Sequence, residues 1–176
     1  KERLHEYIDQ QKRKVTAAGV DIRLNTDVTY EYARSMHPDA VICAIGSDVV
    51  KPPIPGIDNA NVFSAVRAFA DPSLLSGKVL ILGAGLAGTE LSICLKDLGY
   101  EVGIVEMAGD INDGGNSCHK LAVKDMLIQK KIPLHLNTRA EEITDRGVLC
   151  AGPVGEVFYE ADTVVYAAGM KSRTKE

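Results

Sequence analysis

The stretch that decides the fold runs Lys78-Val-Leu-Ile-Leu-Gly83-Ala-Gly85-Leu-Ala-Gly88-Thr-Glu90. Its apolar opening predicts a buried strand over 78–82. The residues from Leu86 to Leu98 predict a helix that stops at Gly99. A G-x-G-x-x-G spacing between a strand and a helix is typical of a dinucleotide-binding turn.

Each of the three glycines has its own role in such a turn. Gly83 permits a tight turn after the strand, Gly85 lets a pyrophosphate approach the backbone, and Gly88 lets the helix lie close to the strand. The first N–H groups of the helix have no partner within it, and the helix dipole places partial positive charge there. A diphosphate can satisfy both. The predicted binding segment is Gly83, Ala84, Gly85, Leu86, Ala87 and Gly88.

Two acidic residues bear on the nature of the ligand. Glu106 follows a predicted strand over 101–105, at the position expected about 20 residues after the first glycine to bind the adenosine ribose hydroxyls. A carboxylate there would repel a 2′-phosphate, and no arginine follows it, which favours NAD(H) over NADP(H). The next residue, Met107, is a further predicted cofactor-binding residue. Glu90 could lie near the nicotinamide, but an acid in a first helical turn is also stabilised by the dipole alone.

The remaining sequence alternates between helical and strand patterns. Helices are predicted over 1–18, 30–36, 64–70 and 117–131, strands over 20–25, 39–46, 133–137 and 164–167, and a meander over 139–160. This alternation predicts an α/β fold. We expect a Rossmann-like three-layer nucleotide-binding domain with a β-meander, together with a partial second domain of the same kind.

Two short sequences recur in the same order. Ile22–Thr26 is similar to Leu134–Thr138, and Asp39–Gly46 is similar to Asp162–Gly169. A helix precedes both copies, whereas a strand, glycine turn, helix and strand precede only the second. We therefore expect residues 1–76 to be the remainder of one nucleotide-binding domain and 77–170 a nearly complete one, with 171–176 returning to the first.

Net charge, apolar runs and cysteine spacing limit the binding partners and the cellular compartment that we expect for this chain. The net charge of −4 does not favour nucleic acid or an anionic membrane, and no apolar run reaches the ~20 residues of a membrane span. The four cysteines form no C-x-x-C pair and no zinc spacing. Cys43 and Cys94 fall in apolar patterns and are predicted core residues. We expect a soluble, cytoplasmic chain without a metal site.

Three motifs resemble the flavin-dependent pyridine-nucleotide oxidoreductases that have two dinucleotide-binding domains. They are Gly83–Glu90, Asp39–Gly46 leading to Pro53-Ile-Pro-Gly56, and Asp162–Gly169. The resemblance implies that 1–76 belongs to an FAD domain and 77–170 to an inserted NAD domain. It also implies two further cofactor-binding turns: Ala44, Ile45 and Gly46, adjacent to FAD in the intact protein, and Ala168 and Gly169.

Within that group, the chain looks most like the C-terminal FAD/NAD region of the 2,4-dienoyl-CoA reductase, 2-enoate reductase and NADH:flavin oxidoreductase enzymes. Those enzymes also carry FMN and a 4Fe–4S cluster. The resemblance implies hydride transfer from NADH to FAD, and then reduction of an activated C=C bond in a 2-enoate or enoyl-CoA. It implies no catalytic protein residue. The FMN, iron–sulfur and FAD segments of the parent chain would be partners, and this fragment alone is expected to be inactive.

Several departures from the group keep alternatives open. The FAD domain's own glycine motif is not in this sequence, Ile45 and Ala168 replace a threonine common in the two turns, and no redox cysteine pair is present. One alternative is another flavoprotein of the group, similar to a glutamate synthase small subunit or a ferredoxin reductase. The other is a non-catalytic module that only binds nucleotide.

Overall fold

The computed structural model describes residues 2–111 and 117–173, and the chain divides into two compact units between Ala44 and Ile45. The first unit contains helix α1 (Glu2–Ala17) and helix α2 (Tyr30–Ser35). Thr29 caps α2, as its sequence position predicts, because its hydroxyl accepts a hydrogen bond from the Tyr32 amide at 3.2 Å.

The strands predicted over 20–25 and 39–46 are wrong. Neither segment is a strand in the structure, and both are exposed to solvent. A strand is stable only when a neighbouring strand takes up its N–H and C=O groups, and no strand occurs among residues 2–44. Cys43, a predicted core residue, is therefore exposed as well.

The second unit holds the remaining elements. In chain order they are β1 (Ser47–Val49), β2 (Val62–Ser64), α3 (Ala65–Ala70), a 3₁₀ turn (Pro72–Leu74), β3 (Lys78–Leu82), α4 (Leu86–Asp97), β4 (Glu101–Val105), α5 (Ser117–Gln129), β5 (Leu134–His135), β6 (Arg139–Thr144), β7 (Gly147–Gly152), β8 (Gly155–Glu160), β9 (Thr163–Tyr166) and β10 (Met170–Ser172). Across residues 2–111 and 117–173, every helix is too short or too polar to cross a lipid bilayer.

Five strands form a parallel sheet in the order β2-β9-β3-β4-β5. From β3 the chain passes through α4 to β4 on one side, while β9 pairs with β3 on the other side. The order of strands therefore reverses between β3 and β9. Such a switch point opens a crevice at the carboxyl ends of the strands, where ligands of open α/β sheets bind.

The sheet is the middle one of three layers. Side chains of β3 alternate, so Val79 and Ile81 join the core on the helix side, whereas Leu80 and Leu82 join a second core on the opposite side. Helices α3, α4 and α5 cover the first face. The antiparallel meander β6-β7-β8 covers the second, through Ile143 and other apolar side chains. The predicted Rossmann-like fold with a β-meander is confirmed.

The sequence repeat is also present in the backbone. Asn25 and Asn137 occupy matching positions and both have a φ of 52°. Gly46 and Gly169 also match, with φ values of 82° and 99°. Matching hydroxyl-to-carbonyl hydrogen bonds run from Thr26 to Leu24 (3.1 Å) and from Thr138 to Leu136 (2.9 Å). The two copies therefore share local conformations, although only the second contains strands.

A short antiparallel ladder joins the two ends of the second unit. In it β1 pairs with β10, with Ser47 opposite Ser172 and Val49 opposite Met170. This ladder includes the described part of the predicted return segment 171–176, of which 174–176 lie outside the described residues.

The proline-rich connector packs on the meander. The Ile143 amide of β6 donates to the Pro55 carbonyl at 2.8 Å. A Cβ on Gly56 would lie 1.9 Å from the Ile143 carbonyl oxygen, so only glycine fits there. The connector is therefore an ordered part of the second unit.

Candidate functional site

The glycine turn has the geometry that its sequence predicts. Gly83 has a φ of 112°, in the left-handed region that favours glycine, and its amide donates to the Val105 carbonyl at 2.8 Å. A Cβ on Gly88 would lie 2.0 Å from the Gly83 carbonyl oxygen, so α4 approaches β3 more closely than any side chain would allow. Gly85 is the N-cap of α4 and offers no side chain to its amides.

Only part of the glycine turn is exposed to solvent. Leu86 and Ala87, the first two residues of α4, are exposed, whereas Ala84 is buried. Thr89, in the same helical turn, is buried, and its hydroxyl bonds back to the Gly85 carbonyl at 3.0 Å. The outer side of the turn is therefore accessible while its inner side is fixed by packing.

The end of β9 contacts this turn directly. The Ala167 amide donates to the Leu82 carbonyl at 2.8 Å. A Cβ on Gly83 would lie 2.7 Å from the Ala167 carbonyl oxygen, and one on Gly88 would lie 3.2 Å from the Ala167 methyl group. Sequence reasoning chose the next two residues, Ala168 and Gly169, which are exposed. It missed Ala167, whose small side chain at a strand end beside glycines was the available signal.

Glu106 is hydrogen-bonded to the turn. Its Oε2 accepts from the Ala84 amide at 2.6 Å, and its Oε1 accepts from the Ala108 amide at 2.7 Å. The residue is half-buried, whereas its neighbour Met107 is 71% exposed. Both bonds orient the carboxylate at the carboxyl edge of the sheet, and each oxygen retains a lone pair for a further donor.

Two charged contacts made by residues of α5 were missed by sequence reasoning. Glu90, on α4, lies 3.5 Å from Nε2 of His119 on α5. Asp110 pairs with Lys120 at 2.8 Å and with Lys124 at 2.6 Å, and their hydrogen bonds hold the pKa of this carboxyl well below its usual range. Both contacts join separate elements, so no local pattern in the sequence indicates them.

The turn predicted at Ala44, Ile45 and Gly46 crosses the boundary between the two units. Ala44 belongs to the first unit. Ile45 and Gly46 precede β1, and the Gly46 carbonyl accepts from the Arg173 amide at 3.2 Å. Gly169 lies at the other end of the β1–β10 ladder, where its carbonyl accepts from the Val50 amide at 3.0 Å. Three residues of extended chain, about 10 Å, separate those two ends.

These features fit the diphosphate of a dinucleotide. The turn lies at the switch point, two of its glycines leave no room for a Cβ, and the 12-residue helix α4 begins without a side-chain cap. Within the described ranges, no group of three His, Cys, Asp or Glu side chains could hold a metal ion. The fold and this edge of the sheet define the class as a Rossmann-type dinucleotide-binding protein.

Comparison with known proteins gives the family. Residues 2–176 match the family described as pyridine nucleotide-disulphide oxidoreductase, and the chain belongs to it. It is 36% identical over 159 residues to cinnamate reductase of Clostridium sporogenes, covering 88% of this chain and 23% of the relative. It is 30% identical over 173 residues to NADH oxidase of Thermoanaerobacter brockii, covering 93% and 26%. The chain thus spans about a quarter of the length of these relatives.

A solved structure agrees with that assignment. The chain superposes on a complex of 2-naphthoyl-CoA reductase with 2-naphthoyl-CoA, with a TM-score of 0.77 and 28% identity. The match covers 90% of this chain and 24% of the reductase. The similarity therefore extends over nearly all of these residues.

Proposed function

We propose that the glycine turn binds NADH. The observation that carries this proposal is the Glu106 carboxylate, which accepts a hydrogen bond from the Ala84 amide inside the turn. That contact places an acidic group beside the predicted diphosphate site, where ribose hydroxyls can donate to it and a 2′-phosphate would be repelled. One relative is described as an NADH oxidase, which supports the choice of NADH.

The chain's own residues would bind and orient the nucleotide. Gly85 would let the diphosphate lie close to the backbone, while Gly83 and Gly88 keep the turn and α4 tight against the sheet. The amino end of α4 would face the negative charge of the diphosphate. Glu90, with His119 beside it, would lie toward the nicotinamide. Ala168 and Gly169, which follow the contact of Ala167 with the turn, would line the same crevice. When bound, NADH supplies a hydride.

We propose further that the intact protein passes this hydride to FAD and on to an activated C=C bond of a 2-enoate or an enoyl-CoA. Two similarities support this substrate class: cinnamate is an aryl 2-enoate, and the superposed reductase holds an aryl-CoA ester. In this proposal residues 1–76 and 171–176 belong to the FAD domain, with Ala44, Ile45 and Gly46 beside FAD, and 77–170 form the NADH domain. FMN and a 4Fe–4S cluster would be held by other segments of the parent.

Titration of this chain with NADH and NADPH by calorimetry tests the binding site. We expect NADH to bind more tightly. Glu106→Gln should weaken NADH binding by about ten- to a hundredfold, because a hydrogen bond to a charged group is worth about 1.5–3 kcal/mol. The same substitution should also reduce the preference for NADH over NADPH. Glu156→Gln, an exposed acid on β8, is the matched control. Equal or tighter NADPH binding by the unaltered chain would contradict the proposal.

The redox step needs a separate assay on the full-length parent protein. NADH oxidation that depends on cinnamate, with the C=C bond reduced, supports the proposed reaction. Binding of NADH without its oxidation by any 2-enoate or enoyl-CoA would indicate a module that only binds nucleotide. This outcome would leave the binding site intact while removing the proposed activity.

A further inference from the structure

A cavity of about 310 Å³ lies on the meander side of the parallel sheet. Leu80 and Gly103, which are opposite each other on β3 and β4, form its floor. A Cβ on Gly103 would come no closer than 3.5 Å to the nearest atom, the Leu80 Cδ1, so packing does not require glycine there. Glycine inside a strand weakens the strand and often marks close approach by a ligand. Here the missing side chain leaves the floor open.

Two aromatic rings form a wall of the cavity. His135 is paired with Val105 in the sheet register and lines the cavity with Tyr159 of the meander. Their ring centroids are 4.4 Å apart and the planes are inclined by 44°. Burial lowers the pKa of His135, and the charge of Lys78 lowers it further. The lowered pKa favours the neutral imidazole, so this wall is aromatic and uncharged.

Lysines are in excess around the rim. Lys78, which lies 3.5 Å from Glu101, has its charge matched by that carboxylate. Lys96 and Lys131 also line the cavity and form no ion pair with any residue in the described ranges. Glu160 is the second acid on this rim. Three ammonium groups thus face two carboxylates, which leaves the rim with a net positive charge.

We propose that this cavity binds a small planar monocarboxylate. The ring of the ligand would lie over Leu80 and Gly103 against His135 and Tyr159, with its carboxylate between Lys96 and Lys131. Ligand pockets usually have volumes of about 300–1,000 Å³, so this cavity suits a ligand with a single ring. The proposal is independent of NADH binding, because the cavity and the glycine turn share no residue.

NMR titration of this chain with benzoate tests the proposal, with benzamide and acetate as matched probes. Benzamide retains the ring without the charge, and acetate retains the charge without the ring. We expect benzoate to shift the backbone amide signals of Gly103 and His135 to saturation, and both other probes to bind more weakly. Unshifted signals, or benzamide and acetate as effective as benzoate, would overturn the proposal.

Variants separate the cavity from non-specific binding. Gly103→Val fills the floor and should abolish saturable benzoate binding. The control, Gly152→Val, adds the same side chain to another strand glycine whose Cβ would have no contact closer than 3.5 Å, and should leave binding unchanged. Lys131→Gln should weaken binding about two- to fivefold, as expected for a partly exposed ion pair. All three variants should bind NADH as the unaltered chain does. Saturable benzoate binding that persists in Gly103→Val, or that is unchanged in Lys131→Gln, would refute the site.

Discussion

The two copies of the internal repeat have the same local backbone and very different burial. Asn25 matches Asn137 in φ, and Gly46 and Gly169 both lie in the left-handed region. Yet Val165 in the second copy is 0% exposed, whereas Ile42 at the matching place in the first copy is 92% exposed. Turns are therefore determined by the residues within them, while strands depend on their neighbours.

Pairing explains that difference. In the second copy, β9 lies between β2 and β3 and is hydrogen-bonded on both edges. In the first copy, residues 39–44 have no strand beside them within residues 2–44. A buried strand needs its backbone groups satisfied on both sides. The apolar sequence is thus necessary for such a strand without being sufficient.

The largest effect is expected where the second copy contacts the glycine turn. Gly88→Ala would place a methyl group 2.0 Å from the Gly83 carbonyl oxygen and 3.2 Å from the Ala167 methyl group. We expect the free energy of unfolding in urea to fall by about 3 kcal/mol, because rigid backbone cannot move aside. Gly152→Ala, with no contact closer than 3.5 Å, is the control and should change little. An equal loss in both variants would show that helix–strand approach is not the cause.

The difference in burial between the two copies can be tested directly by truncating side chains at matching positions. Val165→Ala should lower the free energy of unfolding by about 2 kcal/mol, since it removes two buried methyl groups and leaves a cavity. Ile42→Ala removes more atoms, yet should stay within about 0.5 kcal/mol of the unaltered chain. Both values come from urea denaturation. If Ile42→Ala were the more harmful, the first copy would be packed after all.

The left-handed asparagines give a smaller effect. Asn137→Ala should cost about 1 kcal/mol, because a Cβ-bearing residue other than asparagine is disfavoured at a φ of 52°. Asn25→Ala should cost less in the same denaturation experiment, because residues 20–25 are exposed and form no strand. Glycine at either position should restore stability. If Asn137→Gly did not restore stability, Asn137 would stabilise the fold through its side-chain contacts and not through its backbone conformation.

The smallest effect concerns a lysine on the helix that precedes each copy. In the second copy its ion-pair partner lies outside the helix, whereas in the first copy the partner lies within it. Lys124 on α5 matches Lys12 on α1; Lys124 pairs with Asp110 of the preceding loop, and Lys12 with Asp9 of its own helix. The pKa of Asp110 is lowered in the folded state, so its contribution is present above the ordinary pKa of about 3.9 and is lost as the pH falls below it.

Unfolding experiments at several pH values check this sign. Asp110→Asn should reduce stability slightly at pH 7, and the difference from the unaltered chain should shrink in acid. Asp9→Asn, at the matching single ion pair on α1, is the control for loss of one carboxylate charge at pH 7. A difference that grows as the pH falls would mean that the Asp110 carboxyl is not stabilised by the two lysines.

Sequence reasoning succeeded where the determining forces are local. The limits of β3 and β4 and the start of α4 agree with the prediction because glycine spacing and apolar runs act over a few residues. The meander was found through its turns. Over 20–25 and 39–46, however, the same apolar signals predicted strands that the described first unit does not form.

Contacts between distant elements could not be derived in this way. The bond from the Ala84 amide to Glu106 was implied only in outline, by the spacing of the acid from the glycines. The pairing of Glu90 with His119 and the cavity above Gly103 depend on how layers stack, and no periodic pattern encodes that. Ala167 was missed for the same reason, since its role appears only when β9 lies beside β3.

The ladder between β1 and β10 has a consequence for how this region could be transplanted. Because the entering and leaving segments run side by side, everything between them begins and ends at neighbouring points on one surface. A host protein would need to open a single loop to accept the whole span as an insert, without stretching its own framework. The pairing thus makes the span from β1 to β10 suited to insertion as one piece.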